Sequence, residues 1–231
     1  MISLVSIFWV MILFFALIGL LRGWTREAIA TSGLVLSLFA LNLASSTNLI
    51  RLVVADPTNF QVLGNPQLVE AFNRSGDPSF VADPAIAAQL AADPNIGATI
   101  TGLKREFYVL LLIHLGITFF SYQGPTIAGR VLADRLRIRD SIQDKMLGAI
   151  IGAINGYLII GTLWNFLEYR VTIADMPRLT QGFNYAFYPY ISRPANALTM
   201  TVLEQLPLAL LGPILPFLVV GVFLFVIIVM I

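Results

Sequence analysis

The sequence predicts an all-α integral membrane protein of about five transmembrane helices with short helices on its outer surface. Three observations carry that reading. Hydrophobic residues make up 58% of the 231 and charged residues only 12%, with a mean hydropathy of +0.83; soluble domains carry about a quarter charged residues. Five apolar stretches, 2–21, 28–50, 107–122, 146–167 and 208–231, approach the roughly 20 residues that cross a bilayer. None alternates with period two, so helices rather than a lipid-facing barrel are expected.

The first stretch has no basic residues ahead of it and no small-residue cleavage pattern, which makes it an uncleaved span rather than a signal peptide. Between it and the second lies Arg22-Gly23-Trp24-Thr25-Arg26-Glu27, a tight hairpin turn in which Gly23 lets the chain reverse. Two arginines within six residues form the densest short basic pair, so this turn belongs in the cytoplasm. The N-terminus then lies outside and, after five spans, the C-terminus inside.

The 51–106 connection places prolines behind capping residues, at Asn65-Pro66, Asp77-Pro78, Asp83-Pro84 and Asp93-Pro94, a pattern of helix starts. It reads as short helices forming an outer cap. Its aspartates lack the dense spacing of a calcium loop, so no metal is expected. The 123–145 connection holds Arg130, Arg135, Arg137, Arg139 and Lys145; the part at 126–142 reads as an interfacial helix drawn to anionic lipid. The 168–207 connection is aromatic, with Phe183, Tyr185, Phe187, Tyr188 and Tyr190, as in an interfacial belt. The last stretch is expected to run as a straight span after a break at Pro213 and Pro216.

Net charge is +1 and cysteine is absent, so nothing points to nucleic acid as a partner, to disulfides or to thiolate chemistry. No phosphate loop, serine elbow or His-Glu metal motif occurs, no catalytic residue is nominated, and the protein is expected not to be an enzyme. No chain of Asp, Glu or Lys runs through the spans, so ion-coupled transport has no visible machinery. His114, the single histidine, is the one candidate cofactor ligand, for a haem or chlorophyll-type metal. A hydrogen bond within or between helices is the simpler use of that ring, and no cofactor is expected.

Gly148, Gly152 and Gly156 recur every fourth residue and share one helix face, where small residues let helix backbones approach. They suit packing within the chain better than a dimer seam. The Arg22–Glu27 turn resembles the RGxxRE turn of the colicin V production (CvpA) family of bacterial membrane proteins. Asp144-Lys145-Met146-Leu147-Gly148, continued by Gly152 and Gly156, is similar to that family's entry into its last shared span, with Asn155 standing where the family has arginine. The resemblance covers residues 1–167, and residues 168–231 form an added connection and fifth span. It implies a non-enzymatic scaffold of the bacterial inner membrane, linked to export and envelope assembly. The alternative is an accessory subunit of a respiratory or photosynthetic membrane complex, filling a gap or lining a channel.

Expected partners are anionic headgroups at Arg22, Arg26, Arg135, Arg137 and Arg139, and other membrane subunits. The two motifs should meet, with Arg26 near Asp144 or Glu27 near Lys145, because polar groups at the edge of hydrocarbon are costly unless paired.

Overall fold

The computed structural model describes residues 2–46, 94–127, 142–173, 176–183, 191–192 and 197–230. Strand β1 (Ile2–Ser3) leads into α1 (Leu4–Arg22), which is followed after one residue by α2 (Trp24–Ser46). Helix α3 (Pro94–Ile127) and α4 (Ile142–Leu167) come next, then β2 (Glu168–Ile173), β3 (Met176–Phe183) and β4 (Ile191–Ser192). Helices α5 (Ala197–Glu204) and α6 (Pro207–Leu211) precede a 3₁₀ turn at Gly212–Ile214 and α7 (Leu215–Met230).

Among the described residues, four helical segments are long and apolar enough to cross a membrane: Leu4–Arg22, Trp24–Leu43, Ile142–Leu167 and Pro207–Phe225. The apolar part of α3, Phe107–Gln123, is shorter. Two spans differ from the sequence reading. Helix α2 begins at Trp24 rather than near residue 28, because Gly23 alone makes the reversal and leaves the charged residues helical. The third span of that reading lies in a helix that begins at Pro94, the start expected at Asp93-Pro94, and runs on without a break through the apolar stretch expected from 107.

The turn between α1 and α2 is a single residue. Gly23 adopts φ 82° and ψ 160°, a region open to glycine and strained for other residues, and its N–H donates to the Gly19 carbonyl at 2.9 Å. Arg22 closes α1 and Glu27 sits in the first turn of α2. Each therefore complements the partial charge of its helix end.

Helix α1 packs antiparallel on α4, and the glycines of α4 make the contact. Gly148 lies on Gly19 and Gly23, Gly152 on Phe15 and Gly19, and Gly156 on Ile12 and Phe15. A Cβ built on Gly152 would stand 2.9 Å from the Cα of Gly19, closer than side chains come to backbone. The glycine stripe is thus occupied within the chain. Further along, Phe8 meets Trp164 edge-on at 5.5 Å inside a cluster with Leu4, Phe107, Leu167 and Leu206. A second cluster joins Leu34 and Leu38 of α2, Leu158 and Ile159 of α4, and Leu215 of α7.

Two ends of the bundle follow from these contacts. One holds Leu4, Phe107 and Trp164; the other holds Arg22, Glu27, Tyr122 and Asp144. Much of the outward surface is apolar, including Trp9, Leu13, Leu17, Leu112, Phe120, Ile150, Phe217 and Phe223, which is compatible with a multi-pass membrane protein.

The aromatic connection contains strand structure that the sequence reading did not anticipate. β2 and β3 form an antiparallel hairpin with Glu168 opposite Phe183 and Arg170 opposite Gln181. Its β-branched Val171, Thr172, Ile173 and Thr180 suit a pleated ribbon. β1 and β4 pair in parallel, Ile2 with Ile191 and Ser3 with Ser192, tying the start of α1 to the far connection. Late in the chain, the 3₁₀ turn around Pro213 makes the break expected before the final helix. The expected outer-cap helices before residue 94, the interfacial helix at 126–142 (apart from its first two residues and its last) and the aromatic residues Tyr185, Phe187, Tyr188 and Tyr190 lie outside the described residues.

Candidate functional site

At the Arg22 end, one carboxylate collects side chains from each of the four long helices. Glu27 is fully buried. Arg22, at the last residue of α1 and with its side chain 23% exposed, brings Nε to 3.0 Å from Glu27 Oε1 as an ion pair. The other carboxylate oxygen, Oε2, accepts hydrogen bonds from the Tyr122 hydroxyl at 3.1 Å and from Asn155 Nδ2 at 2.8 Å. Asn155 Nδ2 also reaches the Glu27 backbone carbonyl at 3.1 Å. The Thr31 hydroxyl lies between two acceptors, Asn155 Oδ1 at 2.7 Å and the Glu27 carbonyl at 2.9 Å, with one proton to share.

Arg22 is itself fixed twice more. Its Nη2 donates to the Tyr122 carbonyl at 3.2 Å, and its guanidinium carbon lies 4.6 Å from the centroid of the Tyr122 ring. A buried charge is tolerated only when paired and hydrogen-bonded, and Glu27 meets both conditions. Its donors come from α1, α3 and α4, so the cluster joins four helix segments at one point.

The two family-like motifs do meet, but through other pairs than Glu27 with Lys145. The Glu27 carboxylate is engaged by Arg22, Tyr122 and Asn155, and Lys145 is exposed. Asp144, itself buried, lies against Gly23, so that a Cβ at Gly23 would collide with its carboxylate. Arg26 is exposed. Arg22 also keeps part of its side chain exposed, but its guanidinium is engaged inside the protein.

His114 is buried in mid-bundle. Its Nδ1 lies 2.9 Å from the Ser37 hydroxyl, and Phe166 stands edge-on at 5.9 Å. The other ring nitrogen makes no hydrogen bond of ordinary geometry; the Ile159 backbone carbonyl is the polar group near the ring. Of the two uses expected for this ring, a hydrogen bond within or between helices, the structure has the interhelical one, with Ser37 as partner. Among the described residues no group of three His, Cys, Asp or Glu side chains is placed to hold a metal.

Tyr122, Thr31 and Ser37 were not singled out from the sequence, and Asn155 was noted only as a departure from a family pattern. One local signal was available: Thr31 follows Glu27 by one helical turn, on the same face. No family model, no curated protein and no solved structure matches the chain.

Proposed function

We propose that the protein is a non-enzymatic, multi-pass scaffold of the bacterial inner membrane. In the arrangement of its two motifs it resembles the colicin V production family, and it has a role in envelope or export-related assembly. The observation that supports this reading is the use of the motif side chains. Gly23 against Asp144, and Glu27 among Arg22, Tyr122 and Asn155, hold helix ends together. In this reading five spans cross the membrane, α3 among them, with the N-terminus outside and the Arg22 end cytoplasmic. Arg26 and the arginines at 135, 137 and 139 meet anionic headgroups there.

A second reading, an accessory subunit of a larger membrane complex, is favoured by the last span. Only 6% of Pro207–Phe225 is buried within the chain, which leaves an apolar helix face for lipid or for neighbouring subunits. Gentle solubilisation from the native membrane followed by mass measurement of the intact particle separates the two. A 25.4 kDa chain, alone or in copies of itself, is expected for the scaffold. A fixed stoichiometric assembly with other proteins, above all a pigmented one, refutes it in favour of the subunit reading.

A further inference from the structure

Among the described residues, two buried polar atoms besides Glu27 Oε1 make no hydrogen bond of ordinary geometry, and both lie on α3. They are His114 Nε2 and Thr118 Oγ1, which share a helix face because four residues separate them. A further four residues on, Tyr122 reaches Glu27. Both ends of this row face the same neighbours: His114 touches Ser37 of α2 and Phe166 of α4, and Tyr122 touches Glu27 of α2 and is near Asn155 of α4. Thr118 lies between them in the same seam, with its hydroxyl buried.

Successive members of the row are about 6 Å apart along the helix axis, at 1.5 Å per residue. That is close to the span of two hydrogen bonds through one bridging water. Beyond His114 the next buried residues of this face of α3 are apolar, Leu110 and Phe107, as is Leu41 of α2. At the opposite end Arg22 is partly exposed. The α3 row is thus polar from the Arg22 end inward, alongside Leu34 of α2 and Leu158 and Ile159 of α4, with a titratable ring at its inner terminus.

We propose that His114 is a proton-binding site, reached from the Arg22 end of the bundle by way of Tyr122 and Thr118. A proton arriving from the aqueous phase passes between hydroxyl groups and bridging waters, each link giving up one proton as it accepts another. It is accepted by the ring nitrogen that is bare in the neutral imidazole: Nε2 when Nδ1–H donates to Ser37, and Nδ1 when the Ser37 hydroxyl donates to it. The ionisable machinery absent from the sequence as a run of Asp, Glu or Lys is assembled here from hydroxyls and one imidazole on facing helices. This reading stands whether the chain acts alone or as a subunit.

Because His114 is the single histidine, ¹⁵N-histidine labelling of the full chain in micelles yields one ring and one backbone amide from the same residue. The exchange rate of the ring N–H with solvent is measured by magnetisation transfer from water or, if slow, by transfer into D₂O. Thr118→Val keeps the shape and removes the hydroxyl; it is expected to slow ring exchange by about tenfold or more, while Thr118→Ser stays within about twofold of the parent. Tyr122→Phe is expected to slow it as well. The proposal is overturned if the native ring proton persists as long as the His114 backbone amide, or if Thr118→Val leaves the rate unchanged or raises it. Slowing by Thr118→Val with no effect of Tyr122→Phe overturns entry from the Arg22 end.

Discussion

Gly23→Ala tests the hairpin most directly, because two separate physical effects oppose it. The backbone there has φ 82° and ψ 160°, and holding a non-glycine residue in that region costs about 1–3 kcal/mol. The added Cβ also collides with the carboxyl group of Asp144, which is only 9% exposed and has little room to retreat. Overpacking of this kind costs about 1–3 kcal/mol. Together they predict a loss of about 3 kcal/mol, which for a chain of this size lowers the melting temperature by roughly 6–12 °C. The assay is thermal unfolding in detergent, followed by the fluorescence of the 3 tryptophans. Gly116→Ala is the control: nothing lies within 4 Å of its added Cβ, and alanine is the better helix former. It should leave the transition in place or raise it. Adding Asp144→Ala to Gly23→Ala removes the collision and leaves the strain, so the pair should show a coupling of about 1 kcal/mol or more. A Gly23→Ala transition within about 1 °C of both the parent and the control would refute this account of the turn.

Two further outcomes follow from the Glu27 cluster. Asn155→Ala removes the shortest hydrogen bond to Glu27 Oε2 and the acceptor of Thr31, and should destabilise by about 1–3 kcal/mol in the same unfolding assay. Arg22→Met leaves a buried carboxylate without its counter-charge and should cost about 2–4 kcal/mol, less than a fully buried pair because Arg22 is 23% exposed. Adding Glu27→Gln to Arg22→Met should recover part of that loss, whereas strict additivity would mean the ion pair contributes nothing.

Most of the helical frame was legible because it rests on local signals. Long apolar runs mark α1, α2, α4 and the final span, and the charged hexapeptide around Gly23 marks the only place where the first two can turn. The start of α3 was marked by Asp93-Pro94, but its unbroken run into the apolar stretch from 107 was not, since residues 95–106 mix Thr, Lys, Arg and Glu with apolar residues. The hairpin at 168–183 is short, and its alternation is easily lost among the surrounding aromatics. The site was half visible. Arg22, Glu27, Asp144 and the glycines stood out by charge or spacing. The partners that decide what Glu27 does are 95 and 128 residues away in the chain, as Tyr122 and Asn155, and only tertiary packing brings them there. A charged residue beside a turn reads as solvated until that packing is known.

The antiparallel seating of α1 on α4 has a consequence for how the protein is made. Helix α1 packs chiefly against α4 and touches its immediate neighbour α2 only slightly. Its groove at Phe15 and Gly19 must therefore wait for Gly148 and Gly152, more than a hundred residues later in synthesis. At about 5–20 residues per second this interval is on the order of ten seconds. During that time α1 lacks its main packing partner, with its glycine-sized recess unfilled. Ile2 and Ser3 wait longer still, until residues 191 and 192 have emerged. A segment made before α4 thus finds its native neighbours only late, and the glycine stripe of α4 is the element that ends its wait.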